Sequence, residues 1–534
     1  MAPALSGCQA NYRFSITVFD KSISLGGVIV DIIFQALMSV LSIKNLLLMT
    51  VGISAGIIAG ALPGFSATMA VALIVPFTFT MDPITGLATL GAIYSGAIFG
   101  GCFSAILVNT PGTPSSIGTT FDGFPMTKQG RGEEAIYTAT FASAGGGVIG
   151  VLALIFLSIP LAKVALKFGP PEYFWVSIFG LTIIASLASK SLLKGLAGGF
   201  FGLLISMIGI APIGGDVRFT MGISSFQGGV EVLSVLIGFF CIPEMLKMAG
   251  DINKQKLEDV NVDKQTGVLM KAFLNTFQKP INFIKSSVIG SFVGVLPGAG
   301  GNIANLVAYN EAQRSSKEPE TFGTGNPAGL VATESSNNAT VGGSMVPLLT
   351  LGIPGSPPAA ILYGALMLQG LKPGPELFTA NVKITYSFMI SLLIAQILML
   401  FIGLFTGKSM YKIVTKIPDR ILVPSVIFLT VLGSYAIRNN VMDVVVMMIS
   451  GFIGYILKEL GFHPGPIVLG LILGPIAEKG FVQGYLMGKA SGQSLLIFFT
   501  RPISIILIII TIFSASWPFI RAWSKKKEKG AVIN

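Results

Sequence analysis

An all-α, polytopic membrane protein built from two inverted-topology repeats with broken helices, or re-entrant hairpins, is the fold this sequence predicts. Three observations predict it: charge is scarce, apolar runs recur from end to end, and a pair of proline-glycine motifs occurs twice at nearly one spacing.

Only 11% of the 534 residues are Asp, Glu, Lys or Arg, and 52% are hydrophobic. Soluble domains carry about 25% charge, so this chain lacks the polar groups to cover a water-facing surface. Mean hydropathy is +0.78. Soluble enzymes, nucleic-acid binders and disordered scaffolds are excluded on these grounds. The apolar runs are continuous rather than alternating, which selects helices over a transmembrane barrel. Glycine, at 65 residues, suits close helix packing and helix interruption. Cys8, Cys102 and Cys241 show no metal-ligand spacing, so neither a disulfide framework nor a metal site is expected. The net charge of +11 is read as loop charge on the cytoplasmic side, with no nucleic-acid partner. The first 24 residues lack the basic start and apolar core of a cleavable signal peptide.

Taken in order, residues 1–43 read as a leader and first apolar helix, and 44–246 as a first membrane repeat. A basic linker follows at 247–285, then a second repeat at 286–523 and a lysine-rich tail at 524–534. The linker (Lys247, Lys254, Lys256, Lys264, Lys271), the loop bearing Lys408, Lys412, Lys416 and Arg420, and the tail bearing Lys525, Lys526 and Lys527 are all expected in the cytoplasm. Counting apolar runs from these anchors puts the loop 120–135 inside and the loop 371–383 outside. Those loops close equivalent motifs, so the repeats are expected to be inverted.

The motifs are Gly60-Ala61-Leu62-Pro63-Gly64, which returns as Gly294-Val295-Leu296-Pro297-Gly298, and Pro111-Gly112-Thr113-Pro114, which returns as Pro354-Gly355-Ser356-Pro357. Proline removes a donor and clashes with the preceding turn, and glycine reaches backbone angles other residues avoid. Pro63, Pro111, Pro297 and Pro354 are therefore expected to break membrane helices. At membrane depth a break persists only where protein, water or ligand supplies partners. Carriers use this arrangement: half-helix N-termini face an anion and unwound carbonyls hold a cation.

The polar residues beside the breaks fit that chemistry. Asn109, Thr110, Gly112, Thr113, Ser115 and Ser116 of the first half, with Glu334, Ser335, Asn337, Asn338, Gly355 and Ser356 of the second, are the expected carboxylate-binding set. Gly64, Ser66, Gly298 and Asn302 are the expected cation-binding set. Ser336, Asn305 and Thr340 belong to the same polar neighbourhood. Asp82, before Pro83, is read as a helix cap, and Glu311 with Arg314 as a surface pair. Lys163, Lys167, Lys190 and Lys194 read as loop-end residues whose heads reach water.

Several of these strings resemble the large membrane subunit of the tripartite tricarboxylate transporters. They include Leu62-Pro63-Gly64, Asn109 to Ser116, Phe121-Asp122-Gly123-Phe124-Pro125-Met126, Phe168 to Phe174, Leu296 to Gly300, Glu334 to Asn338, Leu351 to Ser356 and Thr500 to Ser504. Ser335 and Ser336 stand where the family pattern has alanines. The resemblance covers about residues 40–515. It implies a multi-pass carrier of the bacterial inner membrane, with a cytoplasmic C-terminus and no organic cofactor. It also implies a small membrane subunit and an extracytoplasmic solute-binding protein that delivers citrate or a related small carboxylate. Coupling would be to sodium, with protons as the alternative, and the related dicarboxylate carriers imply an elevator movement.

Two rivals belong to other classes. Broken helices also build channel filters, and Gly52-Ile53-Ser54-Ala55-Gly56 has the spacing of a hydrolase nucleophile elbow. The elbow lies in an apolar run, and the sole histidine, His463, is read as a distant cytoplasmic turn. Ser54→Ala is expected to leave uptake in proteoliposomes unchanged; a loss of activity with intact folding would favour the hydrolase.

Overall fold

The computed structural model describes residues 26–188, 191–251, 267–416 and 419–531. Cys8, Lys190, Lys254, Lys256 and Lys264 lie outside them. The first part contains α1 (Gly26–Val40), α2 (Ile43–Ala61), α3 (Ala67–Thr78), α4 (Pro83–Val108), α5 (Thr119–Lys128), α6 (Gly132–Ala165), α7 (Pro170–Ala188), α8 (Leu192–Ser206) and α9 (Val232–Asp251). A small antiparallel ladder, β1 (Gly209–Ile210) with β2 (Val217–Arg218), sits in the loop before α9. The second part contains α10 (Val268–Phe277), α11 (Pro280–Val295), α12 (Gly300–Arg314), α13 (Pro327–Leu351), α14 (Pro357–Leu368) and α15 (Val382–Lys416). It continues with α16 (Asp419–Arg438), α17 (Val441–Glu459), α18 (Pro464–Ala490), α19 (Ile497–Thr500) and α20 (Pro502–Ala531). Among the described residues, 8 helices are long and apolar enough to cross a membrane, or up to 9 if the bent pair Ser494–Thr500 and Pro502–Ser516 is one span. The chain is a multi-pass membrane protein.

All four motif prolines lie between helices. Leu62 leaves α2 at φ −81, ψ 118 and Leu296 leaves α11 at φ −78, ψ 122. Each donates its N–H to the carbonyl three residues back, Ala59 and Val293, and Gly64 and Gly298 follow with φ 85 and 75. The second motif matches as closely. Asn109 ends α4 at φ 54 and Gly352 ends α13 at φ 74. Gly112 donates to the Gly101 carbonyl at 3.3 Å, and Gly355 donates to the Ser344 carbonyl at 3.3 Å. Proline alone does not dictate a break: Pro76, Pro160 and Pro347 sit inside helices.

Glycines let these helices touch backbone to backbone. A Cβ on Gly56 or Gly60 would overlap the carbonyl oxygens of Ile93 and Ala97 on α4. In the second part, a Cβ on Gly290 would strike the Ser336 carbonyl of α13, and one on Gly343 the Ser291 carbonyl of α11. Across the parts, Gly146 and Gly150 of α6 press on the Ser335 and Ala339 carbonyls. Close approach of this kind is the main attraction available between helices in lipid, where both sides are equally apolar. Three packed groups result. α2 to α6 and α10 to α15 form a central body; α7, α8, α18 and α20 pack together, as do α9, α16 and α17.

The basic stretch 247–285 is not only a linker. It holds α10, whose Val268, Ala272 and Thr276 share one buried face. Lys271 pairs with Glu134 of α6 at 2.7 Å, and Asn275 donates to the same carboxylate at 2.9 Å. Its four-residue apolar spacing was legible; its ten-residue length hid it. The remaining boundary expectations meet simple geometry. Asp82 caps α4 by accepting the Thr85 N–H at 3.0 Å, and Glu311 pairs with Arg314 at 2.8 Å.

Gly60→Val forces a branched side chain against the Ala97 carbonyl. Overpacking of this kind costs about 1–3 kcal/mol, so the variant is expected to melt several degrees lower in detergent, as read by a thermal-shift assay.

Candidate functional site

The turn after α4 is held by its own side chains. Ser116 Oγ donates to the Thr113 carbonyl at 2.8 Å, and Thr113 Oγ1 shares a 3.1 Å hydrogen bond with Ser115 Oγ. This places Ser115 against the start of α12. Asn305 Nδ2 donates to the Ser115 carbonyl. Gly301 stands beside Asn337 Oδ1 and Ser115 Cβ, and any side chain there would collide with both. Residues from the first-half turn, from α12 and from α13 thus converge at one buried point.

That point is under-satisfied. Asn337 is 1% exposed, yet neither its Oδ1 nor its Nδ2 has a hydrogen-bond partner; Asn305 Oδ1, Ser335 Oγ and Asn338 Oδ1 are also unpaired. Leaving one such group without a partner costs about 1–3 kcal/mol. Buried amides in this condition call for a partner that the protein side chains around them do not supply.

The Glu334 carboxylate and the Asn338 amide nitrogen, on the same helix, are satisfied. Glu334 Oε1 accepts from Thr119 Oγ1 of α5, and Oε2 accepts from Ser143 Oγ of α6 at 2.7 Å. Asn338 Nδ2 donates to the Ser143 carbonyl and to Gln396 Oε1, both at 3.0 Å, and Gln396 Nε2 donates to Ser95 Oγ at 3.0 Å. Residue offsets make this informative. The offset of 243 that relates Gly112 to Gly355 also relates Tyr94 to Asn337 and Ser95 to Asn338. Tyr94 is satisfied, its hydroxyl lying 3.1 Å from Ser344 Oγ and 3.0 Å from Ser356 Oγ. Asn337 is not. Gln396 bridges the equivalent pair Ser95 and Asn338.

The expected carboxylate set is only partly gathered. Thr113, Ser115, Ser116, Glu334, Ser335, Asn337 and Asn338 are buried together, whereas Asn109 is exposed and Thr110 donates to the Val108 carbonyl. Gly355 and Ser356 serve the second turn. Gly298 donates to the Gly355 carbonyl at 3.0 Å, and Ser356 Oγ accepts the Ala359 N–H at 3.4 Å. Pro357 and Pro358 open α14 without N–H groups. At this helix start the expected half-helix donors are missing, whereas α12 opens at Gly300 with no side-chain cap on its N-terminus. In the expected cation set, Ser66 Oγ accepts the Met69 N–H at 3.2 Å, Gly64 lies against Met248, and Asn302 faces outward.

Two residues escaped the sequence reading. Asp122 Oδ1 accepts the N–H groups of Gly323, Gly325 and Asn326 at 2.9, 2.9 and 2.8 Å, and Oδ2 accepts from Tyr309 at 3.0 Å. It pins α5 to the loop entering α13, so Thr119 meets Glu334. Burial pushes the Asp122 carboxyl up from the usual range, and the four donors pull against that. No spacing rule links residue 122 to residues 323–326, although a buried aspartate facing a Gly-x-Gly loop is the pattern of a backbone-amide acceptor. His463, in the turn that caps α18, lines a narrow cleft with Gly298, Pro354 and Ser356.

The structure is thus a multi-pass helical membrane body with broken helices around a buried, under-satisfied polar point. The chain matches the tripartite tricarboxylate transporter TctA family over residues 46–469, and it belongs to that family. It is 35% identical over 473 residues to the uncharacterized 52.8 kDa protein in the TAR-I ttuC' 3' region of Agrobacterium vitis, covering 87% of this chain and 91% of that one. A TAR-II ttuC' 3' region protein of the same organism is 35% identical over 236 residues, covering 44% of this chain and 96% of its own. No solved structure matches the chain.

Asp122→Ala leaves three amides without their acceptor. The expected result is a lower melting temperature together with faster hydrogen exchange at Gly323, Gly325 and Asn326, read by mass spectrometry.

Proposed function

We propose that this chain is the large membrane subunit of a tripartite importer that brings citrate or related small carboxylates across a bacterial inner membrane by cation symport. It works with a small membrane subunit and an extracytoplasmic solute-binding protein, and its C-terminus is cytoplasmic. Asn337, fully buried with both polar atoms unpaired at the junction of the two halves, carries this reading. A carboxylate oxygen accepts from its Nδ2.

Glu334 supports the coupling to a cation. Its carboxyl is buried and its partners are two hydroxyls. A substrate anion entering beside a buried carboxyl meets like charge in a poorly screened place. Positive charge that enters with the substrate removes that penalty. Sodium at the Gly64 and Gly298 turns is the proposed form, with protons as the alternative. The matched backbone of the two halves supports inverted repeats, and the three packed groups support an elevator in which the central body carries the site.

Asn337→Ala and Asn338→Ala separate ligand binding from folding. Asn337→Ala removes an unsatisfied amide, so its melting temperature is expected to hold or rise while citrate uptake with the partner subunits falls at least tenfold. Asn338→Ala breaks two buried bonds and is expected to melt lower. Normal uptake by a folded Asn337→Ala variant refutes the placement.

A further inference from the structure

Between the two halves, α10 carries three faces on ten residues. At about 100° per residue, Val268, Ala272 and Thr276 share one face, and all three are buried where α10 meets α6. Lys271 and Asn275 form the next face, and both reach Glu134. The rest of the circumference is hydrocarbon. Leu269, Met270, Phe273 and Leu274 are 40–64% exposed, Phe277 is half-buried, and no polar side chain interrupts the arc. Ten residues of helix span about 15 Å, too short to cross a core of about 30 Å.

The depth of α10 is set by α6. That helix has 34 residues, a length of about 51 Å, well over the hydrocarbon thickness. With Lys163 in its last turn at the far side, its first turn, bearing Glu133 and Glu134, stands among headgroups. Lys271 meets α6 at that level. Phe273 meets it two turns further in, its ring 5.5 Å from that of Phe141, about 10 Å along the axis from Glu134. The charged face of α10 therefore looks to the water end of α6 and the apolar arc to the hydrocarbon. The arc also continues into α11. The Phe273 ring lies 4.8 Å from that of Phe277, which lies 5.3 Å from that of Phe283. Beyond it α11 exposes Ile281, Ile284, Val288 and Phe292, the stripe that an apolar membrane helix turns to lipid. Lys279, between the two helices, is exposed and long enough for its ammonium to reach lipid phosphates.

We propose that α10 is an interfacial anchor whose Met270, Phe273 and Leu274 face lies in the bilayer leaflet on the side of the basic linker, the cytoplasmic one by the positive-inside rule. Lys279 sits at the headgroups. Interfacial helices sink their apolar face about 5–10 Å into the boundary between headgroups and acyl chains, which matches the depth of Phe273. The end of the segment that joins the halves is thus held on the membrane and is not a free cytoplasmic tether. The occupant of the face is lipid, and the contact is independent of what the chain carries.

The test places nitroxide labels on the full-length protein in nanodiscs of phosphatidylethanolamine and phosphatidylglycerol. Collision rates are read against oxygen, which concentrates in lipid, and against a water-soluble nickel chelate. Met270→Cys and Leu274→Cys put labels on the apolar arc in a Cys8→Ser background. That background, with only the buried Cys102 and Cys241, supplies the baseline. At both positions the oxygen rate is expected to exceed the nickel rate at least threefold. Melting temperatures are expected to match the background, because the replaced side chains are exposed. A nickel rate equal to or above the oxygen rate at both positions puts the face in water and overturns the proposal. Low rates with both reagents put the face under protein, a second copy or another subunit, and overturn it as well.

Discussion

Every interrupted helix inside an apolar body frees backbone donors and acceptors that lipid does not satisfy. This chain interrupts helices at four matched places, and the arrangement of the rest follows from how those groups are paired. Most are paired internally. Gly112 reaches the Gly101 carbonyl, Gly355 the Ser344 carbonyl and Gly298 the Gly355 carbonyl, and each approach is possible because no side chain stands in the way. A Cβ on Gly112 would overlap the Gly60 carbonyl, and one on Gly355 the Gly294 carbonyl. The Leu-Pro-Gly and Pro-Gly motifs of each half are thus two faces of one contact. Their order in the sequence reflects that packing.

Since the backbone pairs itself, the chemistry passes to side chains, and there the halves part company. At the position of Asn337 the first half has Tyr94, whose hydroxyl is satisfied. At the position of Glu334 it has Gly91, where a Cβ would meet Leu392 and Phe388. One crossing point is therefore filled with apolar and aromatic atoms, and the other keeps an amide, a carboxyl and hydroxyls. A duplicated scaffold with two equally polar points would carry two sets of buried unpaired groups. Among the described residues the buried amides with unpaired atoms, Asn305, Asn337 and Asn338, all lie in the second half.

The breaks were legible because Pro and Gly announce themselves, and the helix cap at Asp82 because Asp-Pro does. The membership of the site was less legible because it depends on helical phase. Asn302 and Asn305 lie less than one turn apart on α12, yet the first faces outward and the second is buried against Ser115. Likewise Asn337 and Asn338 are adjacent, but one is orphaned and the other bridges Ser143 and Gln396. The Asp122 latch and the His463 cleft join residues roughly 200 and 160 positions apart, which no local pattern encodes. The prolines at 357 and 358 were readable: two residues without N–H cannot make a donor-rich helix start.

The same glycine contacts bear on where movement is easiest. Backbone pressed on backbone has no rotamers with which to adapt, so a helix pair locked this way moves as a unit. Among the described residues, such overlaps join α2 to α4, α6 to α13 and α11 to α13 in the central body. They also join α8 to α18, through Gly202 and Gly470, and α9 to α17, through Gly238. The central body meets the outer groups through side chains: Gly433 of α16 stands against the Pro76 ring of α3, and Gly364 of α14 against the Leu233 side chain of α9. Side chains can change rotamer and re-pack. The His463 cleft lies on this boundary, with Gly298, Pro354 and Ser356 on the central body and Phe240 and His463 on the outer groups. A group-against-group shift would change the width of that cleft while leaving the Asn337 point, enclosed within the central body, intact.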